Sequence, residues 1–529
     1  MNVRTLLLTG VCLAAFASPA YADDAAILAR LDAMQKAIDA QNQEIAAQRS
    51  KIDSQSKEIK SLRQKLATTP AAPAASVAAT AATTTPATKA DVAALQSELA
   101  EYKNNQRLEK QEEARVTMTN GRPMISSSDG RFTFSPRALA QFDMGYYDQK
   151  ASAALLPAAN GQHLSSGANF RRAHLGAQGK IFGDFSYLFN FDFGSSNGNE
   201  QQGRVQSVYL QYDGLKPFAF RIGAYPPPAS IEDGTGAGDV IFMERDAPTD
   251  AARAIAGADA RDAASVIYSD PSLYAALSFT GGKVADSSVY ADEQTALLGR
   301  VADMVYKDSD WALLLGANGS YVITPPYASG LTGAHNVTIS AGPETTFNDM
   351  GTKLVSTGAI NVDHVTQWGL EGAAQWRTLY AQGGYYGYSM ERAGTTFEDP
   401  DFNGWYLMSS WVLTGERRAY SASNGSFSAP KPRIPFSLSG SGWGAWELAL
   451  RYSDLDLNFD EGSAGTAAGT SAIRGGEQQI TSFGVNWYPN TLVRFDLNLQ
   501  HVDIDRLSTA GADVGQDFNV IAFRSQFAF

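Results

Sequence analysis

Aromatic and polar side chains that alternate with a period of two residues limit the folds open to this chain more than any other feature. In the stretch F-G-D-F-S-Y-L-F-N-F-D-F, residues 182–193, every second residue from Phe185 to Phe193 is aromatic. The residues between them include Ser186, Asn190 and Asp192. Successive side chains of a β-strand point to opposite faces, so this stretch predicts a strand with one aromatic face and one polar face.

The same alternation returns in W-E-L-A-L-R-Y-S at 446–453 and in V-R-F-D-L-N-L-Q at 493–500. A soluble β-sandwich would alternate as well, but its polar face would be outside and its loops short. Here charges stand opposite aromatic or leucine faces, and long connections such as 460–477 separate the strands. Residues 125–529, at roughly 25 residues per strand and connection, predict an all-β transmembrane barrel of about 16 antiparallel strands.

The C-terminal stretch N-V-I-A-F-R-S-Q-F-A-F, residues 519–529, continues the pattern up to Phe529. An apolar strand needs an apolar neighbour, because chain termini otherwise fray in water. We expect this strand to pair with the first strand of the barrel, predicted at Arg131–Tyr147. Such pairing would leave no free edge and would turn the aromatic face toward lipid.

The first 22 residues have the features of a secretory signal peptide. Arg4 precedes an apolar run of about a dozen residues, which ends in Ala20-Tyr21-Ala22. Cleavage after Ala22 would remove Cys12, the only cysteine, so the mature chain would have neither disulfides nor thiolate metal sites. No later segment runs for 18 apolar residues, and we therefore expect no transmembrane helix.

Residues 23–66 carry a heptad repeat that predicts a coiled coil, for which a parallel trimer is the favoured form. Its a positions are Leu31, Ile38, Ile45, Ile52, Ile59 and Leu66. Residues 67–90 are a linker rich in Ala, Thr and Pro, and residues 91–120 are interpreted as a short helical collar. The predicted order is signal peptide, α-helical coiled coil, linker, collar and barrel.

Several stretches of the predicted barrel resemble the phosphate-selective porin O and P family of Gram-negative outer membranes. They are F-R-R-A-H-L-G-A-Q-G-K-I-F-G-D-F-S-Y-L-F-N-F-D-F-G, G-L-K-P-F-A-F-R-I-G-A-Y-P-P-P-A-S-I-E-D, I-F-M-E-R-D-A-P-T, G-W-Y-L-M-S-S-W-V-L-T-G-E-R-R-A-Y, G-W-G-A-W-E-L-A-L-R-Y-S and N-W-Y-P-N. The resemblance implies a homotrimer of 16-stranded barrels in the outer membrane, each with a constricting loop folded inward. It also implies anion transport, with lumen arginines guiding phosphate to basic residues at the constriction, and a periplasmic N-terminal segment.

The strand alternation assigns basic residues to the lumen. On this basis the candidates for pore lining and anion binding are Arg172, His174, Lys180, Arg221, Arg300, Arg451, Arg494 and Arg524. In a narrow pore, an arginine offers a fixed positive charge and planar donors that replace water around an anion. The alternative is that these residues pair with lumen carboxylates such as Glu447, Asp496 and Asp192.

The constriction is predicted between Tyr225-Pro226-Pro227-Pro228 and Arg261, with Arg245, Arg253 and Arg261 as its candidate basic residues. This stretch departs from the pattern of phosphate-specific relatives, since it has no lysine between Lys216 and Lys283. It also holds many carboxylates, namely Glu232, Asp233, Asp239, Glu244, Asp246 and Asp250. A broader, weakly anion-selective pore therefore fits the sequence as well as a phosphate-specific one.

The sequence favours a porin for small hydrophilic solutes over an enzyme. It lacks the H-E-x-x-H, G-x-S-x-G and Walker motifs, and its five His residues have no metal-ligand spacing, so we expect no cofactor and no metal. The net charge of −13 argues against nucleic acid as a partner. The expected partners are outer-membrane lipid and lipopolysaccharide, with peptidoglycan as a possible partner of residues 23–66. An alternative function is a tether that joins the outer membrane to the cell wall through the coiled coil.

Overall fold

The computed structural model describes the barrel and a few residues before it. The described residues are 97, 98, 100, 101, 103, 104, 114–119, 121–149, 164–194, 203–258, 260–284, 290–328, 334–347 and 352–529. The predicted signal peptide, coiled coil and linker lie outside them. None of the helices in this described part of the chain has the length and hydropathy to cross a membrane.

Sixteen long strands, counted over the described residues, form one antiparallel sheet. In chain order they are β1 (Thr133–Gln149), β2 (Gly167–Ile181), β3 (Phe185–Asp192), β4 (Arg204–Tyr212), β5 (Phe218–Tyr225), β6 (Arg261–Ser269), β7 (Leu273–Lys283), β8 (Thr295–Lys307), β9 (Trp311–Thr324), β10 (Ile360–Trp376), β11 (Leu379–Arg392), β12 (Asp401–Val412), β13 (Ala445–Phe459), β14 (Ile473–Tyr488), β15 (Val493–Asp505) and β16 (Gln516–Ala528). Each pairs with the next along the chain, which confirms the predicted strand number.

The sheet closes on itself through its first and last strands. β16 pairs with β1 in antiparallel register from Phe518 opposite Gln149 to Ala528 opposite Leu139. Two further backbone hydrogen bonds join Phe529 and Ala138. The predicted partner of the C-terminal strand is therefore confirmed, although β1 begins and ends two residues later than predicted. Closure leaves no edge strand whose N–H and C=O groups would face lipid without partners.

The two faces of the sheet differ in composition. The outward face exposes apolar side chains such as Phe189 and Leu450, whereas Arg451 is buried inside the barrel. Outward aromatic and aliphatic side chains form a nearly continuous apolar surface, as a barrel in lipid requires. Inside the barrel, polar and charged side chains share the space with buried apolar ones such as Val365 and Ile480, which belong to one cluster with the inward loops.

The connections differ in length at the two ends of the barrel. At one end, here called the turn end, strands are joined mostly by short turns such as 182–184, 270–272 and 308–310. At the other end, the loop end, connections are long and include 226–260 and 325–359. The turn end has one long connection, residues 413–444. The described residues of 226–260 and 325–359 and the first part of 413–444 fold inward and narrow the lumen.

The segment before the barrel is a hairpin and not a continuous helix. Ala114–Thr119 pairs with Arg122–Ser127, and the second of these strands pairs with β1 at Ile125 opposite Phe134. Among residues 97–104 the described positions are helical. The helical interpretation of 91–120 is thus wrong for residues 114–119, because Val116 and Met118 alternate with threonines and complete a two-stranded ribbon.

Substitution of an outward side chain by arginine tests which surface meets lipid. Leu450→Arg, near the middle of β13, should lower the free energy of unfolding in bilayers by about 2–4 kcal/mol, because the guanidinium enters hydrocarbon. Gln479→Arg, outward but near the loop end of β14, is the matched control and should cost about 0–1 kcal/mol. Denaturant titration of the barrel in lipid vesicles measures both. Equal costs would show that this face does not contact the bilayer core.

Candidate functional site

The connection 226–260 between β5 and β6 folds into the barrel and carries two helices, α1 (Ile231–Gly234) and α2 (Ala247–Ala256). Asp246 caps α2 by accepting a hydrogen bond from the backbone N–H of Thr249 at 2.7 Å. The apolar side chains of α2 are buried, and the helix packs against the inner faces of β8 to β13. This connection, which the sequence analysis assigned to the constriction, spans the lumen.

Residues 237–244, here called the anchored segment, are held by side chains of the barrel wall that donate to the segment's backbone carbonyls. Arg494 reaches the carbonyls of Val240 at 2.6 Å and Ile241 at 2.9 Å. Arg524 reaches that of Met243 at 2.5 Å, and Arg451 that of Glu244 at 2.9 Å. The segment has no regular secondary structure, so these donors satisfy carbonyls that a helix or strand would otherwise pair.

Two more arginines extend this arrangement. Arg418, in the turn-end connection 413–444, donates to the carbonyl of Asp239 at 3.1 Å and forms an ion pair with Glu447 at 2.9 Å. Arg172 of β2 donates to Gln141 at 2.8 Å and pairs with Glu244 at 3.0 Å. The connection 226–260, here called the inward loop, is therefore fixed by side chains from several strands around the barrel.

Four buried wall arginines also have carboxylate partners. Arg524 pairs with Asp143 at 2.6 Å and with Glu244 at 2.8 Å. The other pairs are Arg451 with Glu344 at 2.5 Å, Arg300 with Glu371 at 2.8 Å, and Arg494 with Asp496. A buried charge without a partner would be strongly destabilising, so these carboxylates neutralise the arginines in place. This is the wall pairing that the sequence left open as the alternative.

A second connection, 325–359 between β9 and β10, also enters the lumen. Its Glu344 accepts hydrogen bonds from the backbone N–H of Ala247 at 2.7 Å and from the Ser453 hydroxyl at 2.6 Å. Glu344 thereby joins the N-terminus of α2 to β13. The ring of Phe347 lies over Gly145 of β1, where a Cβ atom would come within 2.1 Å of the ring. Nothing in the sequence alone marks this loop as inward.

The third inward element is the hairpin Ala419–Ser421 with Ser426–Ser428, here called the lumenal hairpin, which enters from the turn end. Arg300 of β8 donates to the hairpin carbonyls of Asn424 at 2.8 Å and Gly425 at 2.7 Å. Thr235, just after α1, donates to the carbonyl of Phe427 at 3.2 Å. Loops from both ends of the barrel therefore meet near α1.

A cavity of about 1450 Å³ remains between these loops and the wall. Among the described residues, its lining contains twelve basic residues (Lys and Arg) and six acidic residues (Asp and Glu). The basic residues are Arg122, Arg137, Arg171, Arg172, Lys180, Arg204, Arg245, Arg253, Lys283, Lys353, Lys431 and Arg494. The cavity is thus basic although the whole chain carries a net charge of −13.

The predicted site residues divide into two groups. Those that line the cavity are Arg172, His174, Lys180, Arg245, Arg253 and Arg494; those that do not are Arg221, Arg261, Arg300, Arg451 and Arg524. Arg221 stacks over Tyr209 at 4.3 Å, and Arg261 donates to backbone carbonyls, including that of Ala254 at 2.9 Å. The second group does not line this cavity: Arg221 contacts wall side chains, whereas loops that fold inward engage the other four guanidinium groups. Contact of these residues with a solute stays a prediction.

The cavity-lining candidates also have partners. His174 lies 3.3 Å from the Asn190 amide and 3.7 Å from the Asp192 carboxylate. Arg245 and Arg253 share Asp233, at 3.5 Å and 2.5 Å. The carboxylates of the inward loop therefore neutralise its own arginines.

Arg122 and Arg137 were not among the predicted site residues. They differ from the paired arginines described above in their lack of a carboxylate partner in the described part of the chain. No carboxylate of the described residues forms an ion pair with either, and their guanidinium groups repel each other. Arg137 donates to the side-chain oxygen of Gln178 at 3.1 Å, while Nε of Arg122 is buried and has no hydrogen-bond partner there. Lys180 lies on the same side of the cavity, near the turn end. Alternation along β1 could have identified Arg137; Arg122 precedes the barrel and gives no such signal.

Two carboxyl groups of the inward loop, outside the strands, are buried with an oxygen that lacks a partner among the described residues. They belong to Glu232 and Asp246. Burial raises the pKa of both carboxyl groups above their ordinary values, and repulsion from neighbouring carboxylates such as Glu344 adds to the effect. Each therefore holds a proton to a higher pH than an exposed carboxyl group and adds less negative charge to the constriction. Within the described residues, no cluster of His, Cys, Asp and Glu is arranged to hold a metal ion.

The contacts of Arg494 with the anchored segment can be tested by substitution. Arg494→Met should lower the free energy of unfolding by about 3–5 kcal/mol, because it leaves the buried Asp496 without its cation. It also removes the donors to Val240 and Ile241, so single-channel recordings should show a noisier current. Thermal unfolding on gels and planar-bilayer recording measure the two effects.

The matched control is Arg377→Met. Arg377 forms an exposed ion pair with Asp310 in the turns, at 3.2 Å, and such pairs contribute about 0–1 kcal/mol. An Arg494 variant that behaves like this control would contradict a clamping role.

The sequence matches one protein family and two known proteins. The family described as "Phosphate-selective porin O and P" matches residues 149–529. Porin O of Pseudomonas aeruginosa is 24% identical over 425 residues, which cover 78% of this chain and 92% of that protein. An uncharacterized protein of Caulobacter vibrioides is 27% identical over 429 residues, covering 75% and 76%.

Solved barrels are similar at lower identity. The anion-selective porin from Comamonas acidovorans is 12% identical with a TM-score of 0.45, covering 75% of this chain and 99% of that one. The channel DcaP of Acinetobacter baumannii is 11% identical with a TM-score of 0.43, covering 76% and 99%. Both TM-scores are below 0.5, so the family assignment depends on the sequence match.

Proposed function

The chain belongs to the phosphate-selective porin O and P family, and we propose that its pore prefers anions, with inorganic phosphate as the candidate solute. As a member of this family it is a porin of the outer membrane, a channel protein and not an enzyme. Solutes move through such a channel down their concentration gradients. The proposed preference for anions depends on the charge of the side chains that line the cavity.

The observation that carries the proposal is the charge of the cavity lining. Twelve basic side chains against six acidic ones, among the described residues, make the lining positive in a chain that is acidic overall. In a narrow pore with low-dielectric walls, such a lining raises the local concentration of anions. Carboxylates already pair with the arginines of the inward loop, so those arginines attract an anion less strongly.

Arg122 and Arg137 are the best candidates for direct contact with an anion. Their positive charges repel each other, and an anion between them would relieve that repulsion. The unpartnered Nε of Arg122 gives such an anion a buried donor. Lys180 adds a third positive charge to the same side of the cavity. Phosphate, with several acceptor oxygens, matches this set of planar and point-charge donors.

We propose further that three such chains assemble as a homotrimer, with the turn end in the periplasm and lipopolysaccharide around the loop end. The C-terminus and the N-terminal hairpin both lie at the turn end, which supports this orientation. Residues 23–66 would then extend into the periplasm. Their heptad repeat supports the second candidate function, a tether to peptidoglycan.

Ion selectivity is measured as the reversal potential of the purified protein in a planar bilayer under a KCl gradient. The potential should shift in the direction of chloride permeation, and added phosphate should reduce the chloride current. A shift in the potassium direction, or a potential near zero that phosphate leaves unchanged, would contradict anion preference and indicate a general porin.

The double variant Arg122→Gln, Arg137→Gln tests the proposed contacts. Each charge-assisted hydrogen bond contributes roughly 1.5 kcal/mol or more, so the phosphate concentration that halves the current should rise about tenfold or more. Arg377→Gln, which removes a charge outside the cavity, should leave it unchanged. If the double variant also leaves it unchanged, phosphate does not bind at these residues.

Deletion of 23–66 separates the two candidate functions. The deleted chain should conduct as the full chain does, whereas cells that carry it should leak periplasmic protein and become sensitive to detergent if the segment is a tether. Normal envelope integrity in these cells would contradict the tether.

A further inference from the structure

The connection 413–444 at the turn end has two parts that lie on opposite sides of the barrel wall. Its first part is the lumenal hairpin, inside the barrel. Its second part, residues 433–443, is here called the rim segment. The ring of Phe436 in the rim segment packs edge-on against Trp487 at 5.2 Å. Trp487 is an outward residue of β14, so the rim segment lies against the outer surface of the barrel.

The rim segment is uncharged from Ile434 to Trp443, where the sequence reads I-P-F-S-L-S-G-S-G-W. Its large apolar side chains point away from the protein: Leu438 is 95% exposed, Trp443 72% and Ile434 62%. A protein surrounded by water rarely exposes so many large apolar side chains in one short stretch. We therefore expect these side chains to contact an apolar partner.

The backbone of the rim segment is firmly held against the barrel. The carbonyl of Trp443 accepts hydrogen bonds from the indole N–H groups of Trp446 at 3.2 Å and Trp487 at 3.0 Å. Phe436 donates its backbone N–H to the carbonyl of Pro489 at 2.7 Å. The exposed side chains are thus carried by a fixed turn, so their outward direction is a property of the fold.

The surface beside the rim segment is the aromatic band of the barrel. Trp446, Trp487, Phe495 and Phe523 stack on one another across β13, β14, β15 and β16. Outward tryptophans at the turn end continue this band across β9, β10 and β12; they are Trp311, Trp376 and Trp411. Tryptophan is enriched where a membrane meets water, because its ring is apolar and its N–H is polar. This sector of the barrel therefore faces lipid.

We propose that the rim segment is a membrane anchor, whose Ile434, Leu438 and Trp443 side chains insert into the phospholipid leaflet adjoining the turn end. Two observations favour lipid as the partner: the rim segment continues the aromatic band, and it has no charge between its ends. The anchor holds the outer half of the same connection whose inner half reaches α1 in the lumen.

A single-cysteine label tests the anchor in the intact protein. Leu438→Cys, in a chain with Cys12→Ser, is labelled with a polarity-sensitive dye and reconstituted in phosphatidylethanolamine–phosphatidylglycerol vesicles. The dye emission should shift to shorter wavelength, and nitroxide lipids labelled near the headgroup should quench it. Ser423→Cys, exposed in the lumenal hairpin, is the matched control and should be quenched by aqueous iodide and not by the lipids.

Two results would overturn the proposal. Iodide quenching at residue 438 equal to that at residue 423 would put the rim segment in water. Efficient disulfide formation between two copies of the Leu438→Cys chain, without lipid quenching, would assign the segment to a subunit contact. Channel conductance under the same conditions verifies that each labelled protein is folded.

Discussion

In lipid, every backbone N–H and C=O group needs a hydrogen-bond partner within the protein, and the pairing of β16 with β1 meets this need for the whole sheet. Closure then divides the side chains of every strand between lipid and lumen. A ring of sixteen strands encloses more space than its own inward side chains fill. Three connections occupy that space, and their contacts with the wall decide what remains open.

Arginine meets two requirements in this interior. Its charge is neutralised by a buried carboxylate, as in the pair of Arg524 and Asp143, and its remaining N–H groups hold carbonyls of the anchored segment. A lysine would provide one charged point and could not bridge a carboxylate and a carbonyl in fixed directions. The arginines that fix the constriction are for this reason not the ones best suited to receive an anion. In the proposed function, that role falls to basic residues whose charge no carboxylate among the described residues offsets, such as Arg137.

The candidate site could be predicted only in part. Alternation puts Arg451 and Arg494 on the inward face, but it cannot show that Glu344 or the carbonyl of Val240 will reach them from loops far away in the chain. For the same reason the sequence did not identify Lys353 and Lys431, which line the cavity, or Arg418, which holds the anchored segment; all three lie in connections without periodicity. The last residues of the predicted collar were also misread, because a short alternating ribbon and a helix end differ little over six residues.

The sequence by itself determined the class of fold. Its period-two alternation, its aromatic face and its C-terminal strand are local features, and they can be identified without knowledge of contacts between distant residues. It also determined the family, whose features are distributed along residues 149–529. Only the tertiary structure decided which cations are neutralised and which remain open to a solute. Neutralisation depends on atoms brought within about 3 Å by loops that fold back from both ends of the barrel, and hydrogen-bond distances of that kind leave no trace in sequence spacing.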